Sequence, residues 1–130
     1  MWRCPNGKYN ASGDYIQSEK TGPNDYEGEW LQVDLGESNT VDSIIIYPGG
    51  GTYGTAGLIK DCKVFGSSDG TNWTEVLDIN GLTNDDWVVS GTKTNIGPYN
   101  LTNKTWRYWR LVINKTISNY VLYKNTRTYV

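Results

Sequence analysis

The segment WLQVDLG, residues 30–36, contains the pattern that decides the fold. Its aliphatic residues Leu31, Val33 and Leu35 stand at every second position, with Gln32 and Asp34 between them. This two-residue period is that of a β-strand that buries one face and exposes the other. The segment therefore predicts a strand whose aliphatic face lies on a core.

Further strands are predicted on both sides along the chain. Residues 36–39 are typical of a turn, and the run of three isoleucines within residues 41–47 indicates a strand buried on both faces. The sequence SSDGTN at residues 67–72 favours a hairpin turn, because Asp-Gly accepts the positive φ that such turns need. The remaining predicted strands are residues 58–65, 73–77, 87–90, 106–113 and 120–123.

This succession of short strands without helical periodicity predicts an all-β fold, an antiparallel sandwich or barrel. The chain of 130 residues suffices for one core, so we expect a single domain over residues 1–130. Residues 3–29 are polar and rich in glycine and asparagine, which predicts a long first loop. No apolar run is long enough to span a membrane.

Residue usage excludes most catalytic chemistry. The chain has no histidine, so it can form neither a Ser-His-Asp triad nor a histidine-containing zinc site. Its two cysteines, Cys4 and Cys62, either form one disulfide or are separate buried thiols.

Charge is distributed unevenly along the chain. No aspartate or glutamate follows Asp86, whereas seven lysines and arginines do. These basic residues alternate with apolar ones over much of the stretch, which indicates strands rather than a nucleic-acid-binding tail. We therefore expect no nucleic-acid partner.

Two motif matches lack the context that their chemistry requires. Gly49, Gly51 and Gly54 match the GxGxxG spacing, but a strand rather than a helix follows them, which argues against a dinucleotide site. The acidic residues near 27–29 and 85–86 could supply the two carboxylates of a glycosidase, but a small sandwich offers little room for a distorted sugar. We therefore expect no enzymatic activity.

Four blocks of sequence, in order, carry a resemblance to a known family. They are WLQVDLG at 30–36, VDSI at 41–44, GSSDGTNW at 66–73 and RYWRL at 107–111. Together they resemble the discoidin or coagulation factor V/VIII type C domains of the galactose-binding-like superfamily. The resemblance implies a jelly-roll β-sandwich with a ligand site on loops at one end. Such domains bind sugars, membranes or proteins, commonly as accessory modules of secreted enzymes and adhesins.

The chain departs from that family at positions that matter for ligands. The resemblance implies a calcium held by an Asp-Gly-Asn loop and a late glutamate, and this sequence has neither. We therefore expect no metal and no cofactor. The arginine that galactose-binding members often carry after the second strand is replaced by Gly49, so galactose specificity is not implied.

Two structural expectations concern charged and aromatic residues in strands. A carboxylate within an apolar strand is unfavourable unless it is paired, so Asp34 is expected to be buried beside Arg107 or Arg110. Tryptophans in strands usually bury, which places Trp30, Trp73 and Trp109 in the core rather than against a ligand. Both expectations can be read directly from a structure.

Loops 48–57 and 80–87 are predicted to flank one site for a glycan. An aromatic ring beside amide and carboxylate groups suits a sugar, whose hydroxyls need donors and acceptors. The predicted ligand contacts are Tyr9, Tyr53, Asn84, Asp86 and Trp87. For Trp87 the alternative is that it opens a strand and packs inward.

The sequence thus predicts a non-catalytic carbohydrate-binding module. We expect its partner to be a glycan or glycoconjugate, and its location to be extracellular or on a particle surface. The alternative is a structural or protein-interaction domain, of an adhesin or a phage particle, that has no sugar ligand.

Overall fold

The computed structural model describes residues 8–17, 22–48, 57–117, 120–121 and 128–129. For residues 102–103, 120–121 and 128–129 it describes the backbone alone. The strands are β1 (Glu29–Ile46), β2 (Ile59–Ser67), β3 (Thr74–Ile79), β4 (Val88–Val89), β5 (Thr92–Lys93), β6 (Ile96–Thr116), β7 (Tyr120–Val121) and β8 (Thr128–Tyr129). A 3₁₀ turn at Pro23–Asp25 and a one-turn helix α1 (Asn84–Trp87) complete the described elements.

All strand pairs between these elements are antiparallel, as the sequence predicts. A four-stranded sheet has the order β1-β6-β2-β3, and the pairs β4-β5 and β7-β8 form two ribbons. No helix among the described residues has the length and apolar character that a membrane crossing requires.

The strands β1 and β6 are long because each contributes to two layers. Their first pairing joins residues 29–34 with 108–113, and a second joins residues 39–46 with 96–106 after a register shift. Gly36, with φ of +83°, lies at this irregularity and adopts a conformation that favours glycine. The predicted turn at residues 36–39 is thus a corner within one strand.

Core contacts show that the two pairings face each other. Leu101 packs with Val64 and Trp109, although residues 101 and 109 of a straight strand would lie about 26 Å apart. Val41 and Ile44 from the second pairing pack on the same cluster. The chain therefore forms an antiparallel β-sandwich. Its inner face carries Val64 and Trp109, and the opposite face of the four-stranded sheet is called the outer face below.

A second core cluster fills the end of the sandwich where most loops gather. Its buried members are Tyr9, Ile59, Cys62, Ile79, Leu82, Trp87, Ile96 and Ile113. Cys62 is a free thiol in this core, and burial raises its pKa to about 12. Cys62 is therefore not part of a disulfide in this structure. Cys4 lies outside the described residues.

The aliphatic residues of the deciding segment are less buried than predicted. Leu31, Val33 and Leu35 lie on the inner face but remain between 39% and 48% exposed. They belong to the edge strand β1, and no described residue covers them as the second pairing covers β2 and β6. The period was interpreted correctly, whereas the burial was overestimated.

The prediction for Asp34 is correct for its partner and wrong for its burial. Oδ1 of Asp34 accepts a hydrogen bond from Nε of Arg107 at 2.8 Å, and Oδ2 accepts one from Nη2 at 3.1 Å. Both side chains are exposed, and they lie at the corner where the two pairings of β1 and β6 meet. The hydrogen bonds from Arg107 and from the backbone N–H of Gly36 lower the pKa of Asp34. An exposed ion pair of this kind contributes little to stability.

The three strand tryptophans have three different environments. Trp109 is buried in the core as predicted, and Trp73 is half-buried. Trp30 is 42% exposed on the outer face, so its predicted place in the core is wrong. The reason is its position on the edge strand, where it has a strand neighbour on one side only.

Candidate functional site

One end of the sandwich, here called the loop end, gathers several segments of the chain. The N–H of Leu82 donates to the carbonyl oxygen of Lys60 at 3.1 Å, which holds the loop after β3 against the start of β2. The N–H of Ile117 donates to the carbonyl oxygen of Leu58 at 2.8 Å, which adds the end of β6. The end of β1 also lies here, because residue 46 pairs with residue 96.

The first loop reaches the same end and is tied to β6. The N–H of Thr116 donates to the carbonyl oxygen of Gly13 at 2.8 Å, and Nζ of Lys115 lies 2.9 Å from Oδ1 of Asp14. The hydrogen bond and charge of Lys115 lower the pKa of Asp14. A Cβ on Gly13 would lie 1.9 Å from the carbonyl oxygen of Thr116, so this close approach requires glycine.

The predicted loops 48–57 and 80–87 are adjacent, as far as the structure describes them. Pro48 lies just after the end of β1, Gly57 lies just before the start of β2, and residues 80–82 lie beside that start. Residues 49–56, which include the predicted contact Tyr53, lie outside the described residues.

Trp87 is placed in the core, so it cannot stack on a ligand at the surface. Only 1% of its surface is exposed, and its indole Nε1–H donates to the carbonyl oxygen of Ile59 at 2.9 Å. The structure agrees with the alternative prediction, in which Trp87 packs inward. A sugar platform on this ring would require it to leave the core, so the predicted contact is corrected.

Tyr9 is also buried, and its hydroxyl joins the first loop to β1 and β6. Its hydroxyl donates to the carbonyl oxygen of Ile113 at 2.5 Å and accepts from the N–H of Glu29 at 3.2 Å. The residue is 1% exposed, and its ring lies 5.3 Å from that of Tyr15. The weaker prediction that Tyr9 contacts a ligand is therefore corrected as well.

Asn84 and Asp86 lie on the exposed surface of helix α1, within the loop end. Oδ2 of Asp86 accepts hydrogen bonds from the N–H and the hydroxyl of Thr83 at 2.7 and 3.1 Å. This is the reciprocal bond of a capping box, which starts the short helix. Asp86 also lies close enough to Tyr99 to add to the rise in the Tyr99 pKa that burial chiefly causes.

An exposed aromatic ring at the loop end was not among the predicted contacts. Tyr47 directly follows β1 and is 72% exposed, more than any other large apolar or aromatic side chain of the described residues. The isoleucine run had suggested burial on both faces, but Ile44 and Ile46 pack inward while Ile45 and Tyr47 point to solvent. The two-residue strand period alone could have indicated this.

Two of the carboxylates considered for catalysis, those of Glu29 and Asp86, have structural partners. Oε1 of Glu29 lies 3.4 Å from Nζ of Lys8, and Asp86 caps α1. Among the described residues, no three His, Cys, Asp or Glu side chains gather where they could hold a metal ion. The expected absence of calcium stays a prediction that a chelator can test.

The architecture and its loop end are those of an all-β sandwich domain. The chain belongs to the F5/8 type C domain family, whose sequence pattern matches residues 6–127. The recognition made from the four sequence blocks is thereby confirmed.

Two solved structures are similar to the chain at low identity. CpGH89CBM32-5 from Clostridium perfringens, in complex with GalNAc-β-1,3-galactose, has a TM-score of 0.48 and 14% identity, with 82% of each chain covered. CBM32-1 from a family 31 glycoside hydrolase of Clostridium perfringens has a TM-score of 0.49 and 18% identity, with 82% of this chain and 80% of that chain covered. No curated protein matches the chain.

Proposed function

We propose that this domain binds a glycan at its loop end and catalyses no reaction. The observation that carries the proposal is the exposed ring of Tyr47, which lies where β1 ends and the other loops gather. A ring open to solvent can stack on the C–H face of a sugar.

Polar groups for the sugar hydroxyls stand at the same end. Asn84 and Asp86 on α1 are exposed and offer amide and carboxylate groups. Tyr53 remains part of the proposal as a second aromatic contact. Trp87 and Tyr9 act beneath the site, where they hold the loops in place.

Family membership supports this function at the level of class. Domains that the chain resembles bind sugars, membranes or proteins outside cells, so we propose an extracellular or particle-surface location. A shallow site of this kind trades water hydrogen bonds for protein ones, and we expect dissociation constants from roughly micromolar to millimolar.

A glycan array with three proteins tests the proposal: the parent, Tyr47→Ala and Tyr47→Phe. The phenylalanine variant keeps the ring and is the matched control. We expect Tyr47→Ala to weaken binding about five- to tenfold, the equivalent of about 1–1.4 kcal/mol, and Tyr47→Phe to bind within about twofold of the parent. Melting temperatures should be alike.

Two outcomes would overturn the proposal. A parent domain that binds nothing on a broad array would not be a glycan-binding module. Equal binding by the parent and Tyr47→Ala would place the sugar away from Tyr47.

One observation favours the alternative of a protein-interaction domain. The exposed aliphatic residues Leu31, Val33 and Leu35 give the edge strand more apolar surface than free edges usually carry. Under that alternative, the domain would bind no glycan on the array, and sedimentation would show that it associates with itself. Replacing Val33 by lysine should then abolish the association.

A further inference from the structure

The outer face of the four-stranded sheet holds an arginine between two tryptophans. Cζ of Arg110 lies 4.5 Å from the ring centroid of Trp30 and 4.2 Å from that of Trp73. Arg110 and Gln32 are direct partners across the β1-β6 pair, and Trp30 lies two residues before Gln32 on the same face. The strands β1 and β6 and the residue before β3 therefore contribute to one aromatic and polar surface.

The contact between Arg110 and Gln32 determines how the amide is oriented. Nε and Nη2 of Arg110 both donate to Oε1 of Gln32, at 3.0 and 2.7 Å. A guanidinium group has donors only, so the amide oxygen must face it and the amide NH₂ must point away. Within the part of the chain that the structure describes, this NH₂ group donates to no protein acceptor.

Trp30 adds a fixed aromatic ring with its own donor. One side of the indole lies against the guanidinium, and 42% of the residue stays exposed. Its Nε1–H has no acceptor among the described residues. Since Arg110 contacts both tryptophan rings and is itself held by Gln32, binding a ligand here orders few side chains.

We propose that Trp30 and Gln32 form a second saccharide subsite on the outer face, with Arg110 as its positioning residue. The indole provides the surface for a pyranose C–H face, and the Gln32 amide and Trp30 Nε1–H donate to sugar oxygens. The ligand class is a pyranose that presents acceptor oxygens beside an apolar face. This inference takes only the ligand class from the proposed function, because no loop-end residue contributes to it.

Gln32→Glu is the sharpest variant for this subsite. Glutamate keeps an oxygen for both Arg110 donors, so Arg110 and the two tryptophans should stay in place. It replaces the outward NH₂ by a second acceptor oxygen, which removes the donor that the sugar uses. Trp30→Leu removes the ring but keeps an apolar side chain.

The test is a glycan array and an NMR titration with methyl β-galactoside and methyl β-glucoside, performed on the parent, Gln32→Glu, Trp30→Leu and Tyr47→Ala. In the parent we expect at least one of these sugars, or an array glycan, to shift the indole N–H signal of Trp30. That shift should persist in Tyr47→Ala and should need at least fivefold more sugar in Gln32→Glu. Trp30→Leu should fail to bind the glycans that Tyr47→Ala still binds.

Distinct results separate this inference from the proposed function. If no sugar or array glycan shifts the Trp30 signal, the subsite does not exist, whatever Tyr47→Ala does. If Gln32→Glu binds as tightly as the parent, with an unchanged melting temperature, the amide is not a ligand donor and the proposal is overturned. Loss of all binding in Tyr47→Ala would leave only the loop-end site and would overturn the second subsite.

Discussion

Replacing Trp87 by alanine distinguishes a core residue from a ligand platform. The structure places this ring in one buried cluster with Ile59, Cys62 and Ile113, with 1% of its surface exposed. We therefore expect Trp87→Ala to destabilise the domain strongly, whereas a stacking residue at the surface could be removed with little effect on stability. Any loss of glycan binding would follow from loss of the fold.

The magnitude follows from the buried volume and the hydrogen bond. Truncation of a buried tryptophan to alanine costs about 3–5 kcal/mol. The substitution also leaves the carbonyl oxygen of Ile59 without the indole N–H that lies 2.9 Å away. For a domain of this size, about 4 kcal/mol corresponds to a fall in melting temperature of roughly 10–20 °C.

The assay is thermal and urea denaturation of Trp87→Ala, with two controls. Trp87→Phe fills much of the space but removes the donor to Ile59, and should lose about 1–3 kcal/mol. Tyr47→Ala, at the exposed surface, should stay within about 0.5 kcal/mol of the parent. If Trp87→Ala melted within a few degrees of the parent yet lost glycan binding, the ring would be a ligand platform and our reasoning would be wrong.

Three further predictions concern acid stability, metal and the buried thiol. The backbone N–H groups of Asn72 and Thr71 lower the pKa of Asp69, so its contribution to stability is present above the ordinary pKa of 3.8 and is lost as the pH falls further. The melting temperature of Asp69→Asn should therefore fall less between about pH 7 and pH 3 than that of the parent. An equal fall would show that the lowered pKa of Asp69 is not a source of the parent's acid sensitivity. A chelator should leave the melting temperature unchanged, because the sequence has neither the Asp-Gly-Asn loop nor the late glutamate that would hold calcium. A clear drop in the melting temperature would reveal a bound ion. In a Cys4→Ser background, Cys62 should resist iodoacetamide at about pH 8 until denaturant is added, since burial raises its pKa to about 12; rapid labelling of the folded domain would show an open thiol.

The sequence predicted the elements of the fold better than their burial. Alternation and turn chemistry are local, which is why the strand pattern at residues 30–36 and the turn at residues 67–72 were interpreted correctly. Exposure depends on which strand lies at an edge, and that is a property of the whole sheet. Trp30 was consequently assigned to the core although the structure exposes it.

In the candidate site too, the sequence predicted which segments lie together better than it predicted which side chains are exposed. The described ends of the two loops are neighbours, as expected, because both lie beside the start of β2. The helix α1 was missed within a predicted loop, although Thr83 and Asp86 have the spacing of a capping box. The inward position of Trp87 depends on a long-range contact with Ile59, which no local pattern contains.

The pairing of β1 with β6 has a consequence for how the chain folds. Residue 29 pairs with residue 113 and residue 46 with residue 96, whereas β2 and β3 are joined by a short hairpin. Closing such distant pairs loses chain entropy before many contacts compensate for it, which slows folding. During synthesis, the part of β1 that contains Leu31 and Val33 can pair with β6 only after almost the whole domain has left the ribosome. The topology that slows folding therefore also leaves this strand unpaired during synthesis, which is the state in which strands are prone to aggregate.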